Sequence, residues 1–309
     1  MKDVAVIIVN WNGGTVVRRA VDTILEHSTS LDIEIIVVDN ASSDGSDVAL
    51  EEANLPGVRV VRTFTNGGYG KGNNLGAALA DARYLAFVNP DVEFTQDVLK
   101  PLVDFLEGEL DAGIACPRLV FRDGRLQRPV GRKAPNLLTD LTLHFQVSYR
   151  VSNRPWLSGF MVDEQNGRDI VEVDVIHGAF FVIPAALFEK AGRFDGEQFM
   201  YFDEILLCAR VRSLGKKVFY FGQAEALHLG GELTRPVAGR STSFLCQSGY
   251  VYYRQQKGRW RAELYALETA GAALAMLGAR KVLGHSKERQ DRERRILKWF
   301  FHRSIDIPR

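Results

Sequence analysis

Several short stretches of the chain carry side chains that could do chemistry. Asp39 ends the run Ile35-Ile36-Val37-Val38, and Asp91 follows Leu85-Ala86-Phe87-Val88-Asn89-Pro90. In both, an apolar run stops at a carboxylate followed by polar residues. A buried parallel strand reads this way, and its carboxyl end is where open α/β sheets bind ligands. Asp39 could accept hydrogen bonds from a nucleotide base or ribose, or simply cap its own turn through the amides of Ser42 or Ser43. Asn10 and Trp11, with Asn12 after them, end a neighbouring run and could form a polar and stacking wall beside it. Asn89 and Asp91 offer hard oxygens to Mg²⁺ or Mn²⁺, which would also take diphosphate oxygens and water. Asn-Pro-Asp is equally good turn chemistry.

Asn66-Gly67-Gly68-Tyr69-Gly70-Lys71-Gly72-Asn73-Asn74 is glycine-rich with one cation, Lys71. Such a loop could bring backbone amides close to a ligand, but no Walker or dinucleotide spacing accompanies it. Asp203-Glu204 follows the aromatic run Phe199 to Phe202 and precedes a helical pattern. A carboxylate there could accept a proton from a hydroxyl nucleophile, or serve only as a helix-start charge. Arg210, further along the same pattern, could pair with one of these acids. His228 could meet a metal or phosphate, although a lone histidine is more often structural.

The elements that must position these groups alternate. Val4–Val9 reads as a strand, 15–26 as a helix, Glu34–Val38 as a strand, and 44–52 as a helix capped by Asp44. Val58–Thr63, Tyr84–Val88 and Ala115–Phe121 read as further strands, with helices predicted over 75–82 and 95–107. Val171–Val175, Phe180–Ile183 and Lys217–Tyr220 complete the strands, and 184–191 reads as a helix. The order implies a mainly parallel, doubly wound α/β sheet. Residues 128–170 lack clear periodicity and read as an insertion, and long loops at a sheet edge are often functional. The division expected is a sheet domain over 1–240, with halves 1–95 and 96–240, and a helical extension over 241–309.

Bulk properties narrow the class. The chain has 309 residues, 46% hydrophobic and 25% charged, and a net charge of +1, which gives no case for nucleic acid. Cys116, Cys208 and Cys246 are far apart with no CxxC, fitting free thiols in a reducing compartment. No leader peptide is expected at Val4–Val9, which is too short for one, and no apolar stretch is long enough to span a membrane.

Taken together and in order, these motifs resemble those of family 2 glycosyltransferases, the inverting GT-A type, in the bacterial rhamnosyltransferase-like branch that builds cell-surface polysaccharide. The resemblance covers roughly residues 3 to 260. It is carried by Val9-Asn10-Trp11-Asn12, Val38 to Gly45, Asn66 to Gly76, Asn89-Pro90-Asp91, His177-Gly178-Ala179, Gly192 to Asp195, Phe199 to Arg210 and His228-Leu229-Gly230-Gly231. It implies a Rossmann-like GT-A sheet and a nucleotide-diphosphate sugar donor, dTDP-rhamnose being the guess. The donor would be held by Asn10, Trp11, Asn12, Asp39, Asn66, Gly67, Lys71, Asn74, Asn89 and Asp91. Asp39 would contact the base. Asp91 would occupy the last position of the family's DxD motif, with Asn89 at the first, and His228 would lie near the diphosphate or the metal. The implied acceptor is a saccharide or lipid-linked saccharide, with Trp156, His177 and Gly178 on its side.

Two departures stand out. The family's usual Glu-Asp order is reversed in Asp203-Glu204, and a later acid is replaced by Leu206. In register Glu204 takes the general-base position, with Asp203 as the alternative. A catalytically impaired nucleotide-sugar-binding protein and a nucleotidyltransferase are the rival readings. Gln256-Lys257-Gly258-Arg259-Trp260 also fits QxxRW of processive synthases, and is taken as coincidence. The expected location is the cytoplasm. Lys287–Arg303, basic and ending in aromatics, together with apolar Leu264–Ala279, suits either peripheral contact with the inner face of the plasma membrane or packing on its own domain or a homodimer partner.

Overall fold

The computed structural model describes residues 1–145, 147–151, 154–163, 167–230, 238–284 and 287–302. Gly231 and Arg303, both in motifs named above, lie outside the described residues, as does part of the 128–170 insertion. The first half alternates strand and helix: β1 (Lys2–Asn10), α1 (Gly14–His27), β2 (Ile33–Asp39), α2 (Ser46–Glu52), β3 (Val58–Arg62), α3 (Tyr69–Leu79) and β4 (Ala82–Val88). A short β5 (Val92–Phe94), α4 (Leu99–Gly108) and β6 (Ala112–Val120) follow. The insertion holds β7 (Gly131–Arg132), α5 (Leu137–His144), a 3₁₀ turn and α6 (Pro155–Ser158). The remainder is β8 (Ile170–Val173), β9 (Val175–Ile176), β10 (Phe180–Pro184), α7 (Ala185–Lys190), α8 (Asp203–Ser213), β11 (Lys217–His228), α9 (Ala238–Gln256), α10 (Arg259–Val282) and α11 (Lys287–His302).

The main sheet runs β3-β2-β1-β4-β10-β6-β11-β5, with β8 also on β11. β1 to β4 are mutually parallel, and β6 and β11 are parallel to each other. β10 enters antiparallel to both β4 and β6, so these six strands run one way while β10, β5 and β8 oppose them. The chain leaves β1 toward β2 and β3, then returns to β4 on the other side. That places a topological switch between β1 and β4, where such sheets open a crevice at their carboxyl ends. The β-branched runs of β1 and β2 are buried: Val4, Val6, Ile7, Ile8, Val37 and Val38 all have 0% exposure. Each such side chain contributes roughly 1.5–3 kcal/mol of transfer free energy.

Several boundaries differ from the pattern-based expectation. α3 starts at Tyr69 rather than 75, absorbing most of the glycine-rich run into a helix. Its glycines serve contact with protein: a Cβ on Gly70 would lie 2.5 Å from Asp203 Oδ1, and one on Gly72 2.8 Å from Val9. α4 starts at Leu99 rather than 95, because Val92–Phe94 first pairs with the end of β11. β11 continues from Tyr220 to His228, carried past a register shift between Phe221 and Glu225.

A second apolar cluster lies beside the sheet core. It joins Phe202, Ile205 and Leu206 to Cys246, Tyr252, Tyr253, Tyr265, Ile296 and Trp299 of the C-terminal helices. Leu206 is 0% exposed there, which accounts for an apolar side chain where an acid was expected. Trp299 is also buried and donates to Gln247 Oε1 at 2.8 Å, so α11 turns Trp299 inward onto the protein while Phe301 stays exposed. All three cysteines are buried free thiols.

Candidate functional site

A cavity of about 590 Å³ opens at the carboxyl ends of β1 and β4, with Trp11, Asn40, Asn66, Tyr69, Asn89, Asp91, Gln127, Arg132, His177, Gly178, Asp203, Glu204 and His228 in its walls. The sheet supplies the floor. β10 orders the rim after β4, where Asn89 N–H donates to Ala179 O at 2.7 Å. α9 closes one side through Phe244, whose ring lies 4.8 Å from that of Phe199.

On the first wall, Asp39 is consumed by its own turn. Its Oδ1 accepts from Asn10 Nδ2 at 2.8 Å and Ser42 Oγ at 2.6 Å, and its Oδ2 from Ser42 N–H at 2.9 Å. Asn10 is fully buried and also donates to Ser46 Oγ at 2.8 Å. Asn12 Oδ1 accepts from Ser43 N–H at 2.8 Å. These three residues tie the β1 and β2 loops together, leaving Trp11 and Asn40 in the cavity wall. Asn74 clamps Phe194 through both its backbone N–H and its carbonyl at 3.0 Å. Asn10, Asn12, Asp39, Gly67, Lys71, Asn74 and Trp156 do not line the cavity; Lys71 and Trp156 are exposed. Arg259 and Trp260 of the QxxRW match begin α10 and are likewise absent from the lining.

At the centre, His228 Nε2 lies 3.2 Å from Asp91 Oδ1. The sequence brings them together because β11 pairs with β5, setting His228 opposite Val92, and Leu229 N–H donates to Asp91 O at 3.0 Å. Gln127 fixes the ring. Its Nε2 donates to His228 O at 2.6 Å, leaving its Oε1 to accept from His228 Nδ1 at 2.6 Å. The Nδ1 proton is thereby assigned, and Nε2 is presented toward Asp91, the arrangement that orients a metal-ligating histidine. Asp91 and His228 thus fit as two protein ligands of a divalent cation. Among the described residues no group of three or more His, Cys, Asp or Glu could hold one, so substrate oxygens and water would complete the shell. The His177 ring lies 5.5 Å from that of His228; its Nδ1 accepts from Ala179 N–H at 3.1 Å. Burial, then the His228 and Arg132 charges, push its pKa down to about 3, so it stays neutral.

The acidic pair stands at the first turn of α8. Tyr201 and Phe202 immediately before it hold φ of 71° and 65°, a left-handed pair that costs side-chain-bearing residues about 1–3 kcal/mol each. Ser248 Oγ donates to Met200 O at 2.8 Å, and Phe202 is buried among the C-terminal helices, so the kink is held from both sides. The kink turns the start of α8 into the cavity. Asp203 is fully buried, and neither carboxylate oxygen has a hydrogen-bond partner in the described structure. Burial, then the Glu204 and Asp195 charges, drive its pKa well above the carboxylate range. Glu204 is half-buried and sits against Gly178, where a Cβ would come within 3.3 Å of its carboxyl group. Burial raises its pKa as well, opposed by the Arg132 charge. Tyr69 O–H donates to Gly178 O at 2.8 Å and fixes the opposite side. Arg210 turns away from the pair, binding Asp195 Oδ2 at 2.9 Å, because Asp195 is half-buried on the preceding loop and already held by Gln255.

Gln127, Arg128, Arg132, Asn40 and Tyr69 line the site without having been singled out in the sequence. Tyr69 and Asn40 carried a signal, Tyr69 inside the glycine-rich run and Asn40 inside the Val38 to Gly45 stretch.

Residues 5–190 match the family model described as "Glycosyl transferase family 2". The chain is similar to the N-acetylglucosaminyl-diphospho-decaprenol L-rhamnosyltransferase of Mycobacterium tuberculosis, 26% identical with 92% of this chain and 95% of the relative covered. It is also similar to rhamnosyltransferase WbbL of Escherichia coli, 26% identical over 62% of this chain and 71% of that protein. Among solved structures, the mannosyltransferase PcManGT from Pyrobaculum calidifontis, in complex with GDP-Man and Mn²⁺, superposes with a TM-score of 0.60 at 14% identity. That likeness covers 98% of this chain and 88% of the other and shows a shared GT-A fold.

Proposed function

The chain belongs to glycosyl transferase family 2, and from that premise we propose that it is an inverting transferase moving a deoxyhexose such as rhamnose from a nucleotide-diphosphate donor to a saccharide acceptor, lipid-linked, in cell-surface polysaccharide synthesis. The observation that carries the reading is the pairing, in one cavity, of a cation-ready Asp91–His228 couple with a separate carboxylate, Glu204, aimed from a helix start. The names of the two rhamnosyltransferase relatives support the sugar, and the first of them supports a lipid diphosphate carrier.

In this reading the nucleoside lies along Trp11, Asn40 and Asn66, with Asn10, Asn12 and Asp39 holding that wall in shape rather than lining it. Asp91 and His228 would hold Mg²⁺ or Mn²⁺, which would supply positive charge to stabilise the leaving nucleoside diphosphate. Glu204 takes the proton from the acceptor hydroxyl, which attacks the anomeric carbon once, with inversion. Asp203, fully buried and with its pKa raised by that burial, does not serve as base. Gly178 and Tyr69 set the position of Glu204. The acceptor enters past His177.

Peripheral membrane contact fits α10 better than α11. Trp260, Leu267 and Leu274 recur every seven residues along an exposed face of α10, with Gly271, Gly278 and Val282 beside them. Lys257, Arg259 and Arg261 at one end and Lys281 at the other are exposed, the make-up of a helix lying at an anionic lipid surface. Among the described residues no helix is long and apolar enough to cross a membrane.

The test is to incubate the protein with a panel of nucleotide sugars, Mn²⁺ or Mg²⁺ and a lipid-diphosphate saccharide, and to measure nucleoside diphosphate release and the product's anomeric configuration. Transfer with inversion that vanishes in Asp91→Ala is expected. Release of pyrophosphate, or retention of configuration, would refute it.

A further inference from the structure

We propose that Arg132 binds an anionic group of the acceptor, a phosphate ester at the reducing end of its saccharide, within the cavity that holds the donor. The inference rests on the transferase reading and adds the side chain that recognises the anionic end of the acceptor.

Arg132 closes the two-residue strand β7, antiparallel to β9, on the cavity wall that also holds Ile176, His177, Tyr201 and Glu204. It is half-buried. The nearby carboxylates are committed elsewhere. Asp174 binds Arg212 at 2.7 Å and accepts from Ala134 N–H at 2.9 Å. Asp140 accepts from Tyr253 O–H at 2.6 Å. Asp203 is sealed off. Glu204 shares the cavity and feels the Arg132 charge, yet the two form no ion pair. Among the described residues the Arg132 guanidinium has neither an ion-pair nor a hydrogen-bond partner.

A guanidinium withdrawn from water is costly unless an anion completes it. Its rigid fork of donors matches phosphate oxygens two at a time. The donor's diphosphate has its own place at Asp91 and His228, and the His177 ring, 5.5 Å from that of His228, belongs to the wall Arg132 shares. The anion for Arg132 therefore comes with the second substrate. Arg132 and Glu204 line the same cavity, so an acceptor whose hydroxyl meets Glu204 would present the phosphate of its carrier linkage to Arg132. Arg132 also holds the positive charge that keeps Glu204 from being raised further by burial, so one side chain serves both acceptor binding and base strength.

The test uses the full chain saturated with dTDP and Mn²⁺. N-acetylglucosamine 1-phosphate and methyl N-acetylglucosaminide, one sugar with and without the phosphate, are titrated calorimetrically. Wild type is expected to bind the phosphate at least tenfold more tightly, Arg132→Gln to lose that preference, and Arg132→Lys to retain part of it, with dTDP affinity unchanged in both. Equal affinities in wild type, no binding of either sugar, or a preference that survives in Arg132→Gln overturns the assignment. Weakened dTDP binding in Arg132→Gln also overturns it, placing Arg132 on the donor. Should Arg132→Gln fail to fold, a phosphate preference in Arg132→Lys equal to that of wild type overturns it. Failure of dTDP to bind wild type with Mn²⁺ sinks the proposed donor and this inference together, whereas dTDP binding without phosphate preference sinks this one alone.

Discussion

Replacing Asp203 by Asn separates the two members of the acidic pair. Asp203 is 0% exposed, its carboxylate lacks partners in the described structure, and burial raises its pKa well above the ordinary range. The sign of the linkage follows. The folded state binds a proton that the unfolded chain releases above roughly pH 4, so stability falls as pH rises from there to the folded midpoint. The slope approaches roughly 1.4 kcal/mol per pH unit. Asn carries no proton to lose, so Asp203→Asn removes this slope. Its amide inherits the same lack of partners, a cost of about 1–3 kcal/mol that does not vary with pH. The stability difference between variant and wild type should therefore move in the variant's favour as pH rises from about 4 toward the raised midpoint of the folded state, measured by urea unfolding at several pH values. In the same preparations Asp203→Asn should keep transfer within about tenfold of wild type, while Glu204→Gln should lose about 10²–10⁴-fold in kcat. A flat stability difference, or an inactive Asp203→Asn beside an active Glu204→Gln, would refute the division of labour.

Three further outcomes are expected. Gln127→Leu frees the His228 ring and should weaken Mn²⁺ binding about 10–100-fold, read by titration in the presence of nucleoside diphosphate, with thermal stability tracked alongside; unchanged affinity would remove Gln127 from the metal's support. Gly178→Ala places a methyl within 3.3 Å of the Glu204 carboxyl and should lower kcat more than it raises either KM, since it displaces the base and not the ligands. Trp260→Glu combined with Leu267→Glu should abolish sedimentation with phosphatidylglycerol vesicles while leaving the melting temperature and soluble-donor hydrolysis unchanged; if wild type does not sediment either, the α10 face does not serve a membrane.

How much of this was legible in the sequence depended on the range of the contacts involved. β1, β2 and β4 announced themselves because each is a buried run of branched or aromatic residues ending at a polar stop, and their parallel pairing follows from helical crossovers. The Asp91–His228 couple was visible as two motifs but not as a contact, since only the pairing of β11 with β5 brings positions so far apart in the chain to 3.2 Å. The glycines of α3 misled for a physical reason. Sequence records that a backbone must come close to something, and ligand and protein leave the same mark; here Gly70 admits the Asp203 carboxylate and Gly72 admits Val9. The insertion stayed unreadable because its order is borrowed from distant partners. β7 has two residues and exists through β9, and α5 docks through Asp140 on Tyr253 and His144 on Thr269 at 3.0 Å. Arg132 was hidden by that same dependence. An arginine in an aperiodic stretch reads as surface charge until β9 brings it beside Glu204, and it then becomes, among the cavity's charged side chains, the cation set next to the base. The reversed acidic pair follows the same logic. With α8 packed against the C-terminal helices, position 206 joins the apolar cluster of Tyr252 and Tyr253 and takes Leu, position 203 is buried against Gly70 of α3, and position 204 sits against Gly178 at the cavity. The order Asp-Glu therefore leaves the longer carboxylate where a hydroxyl can be reached.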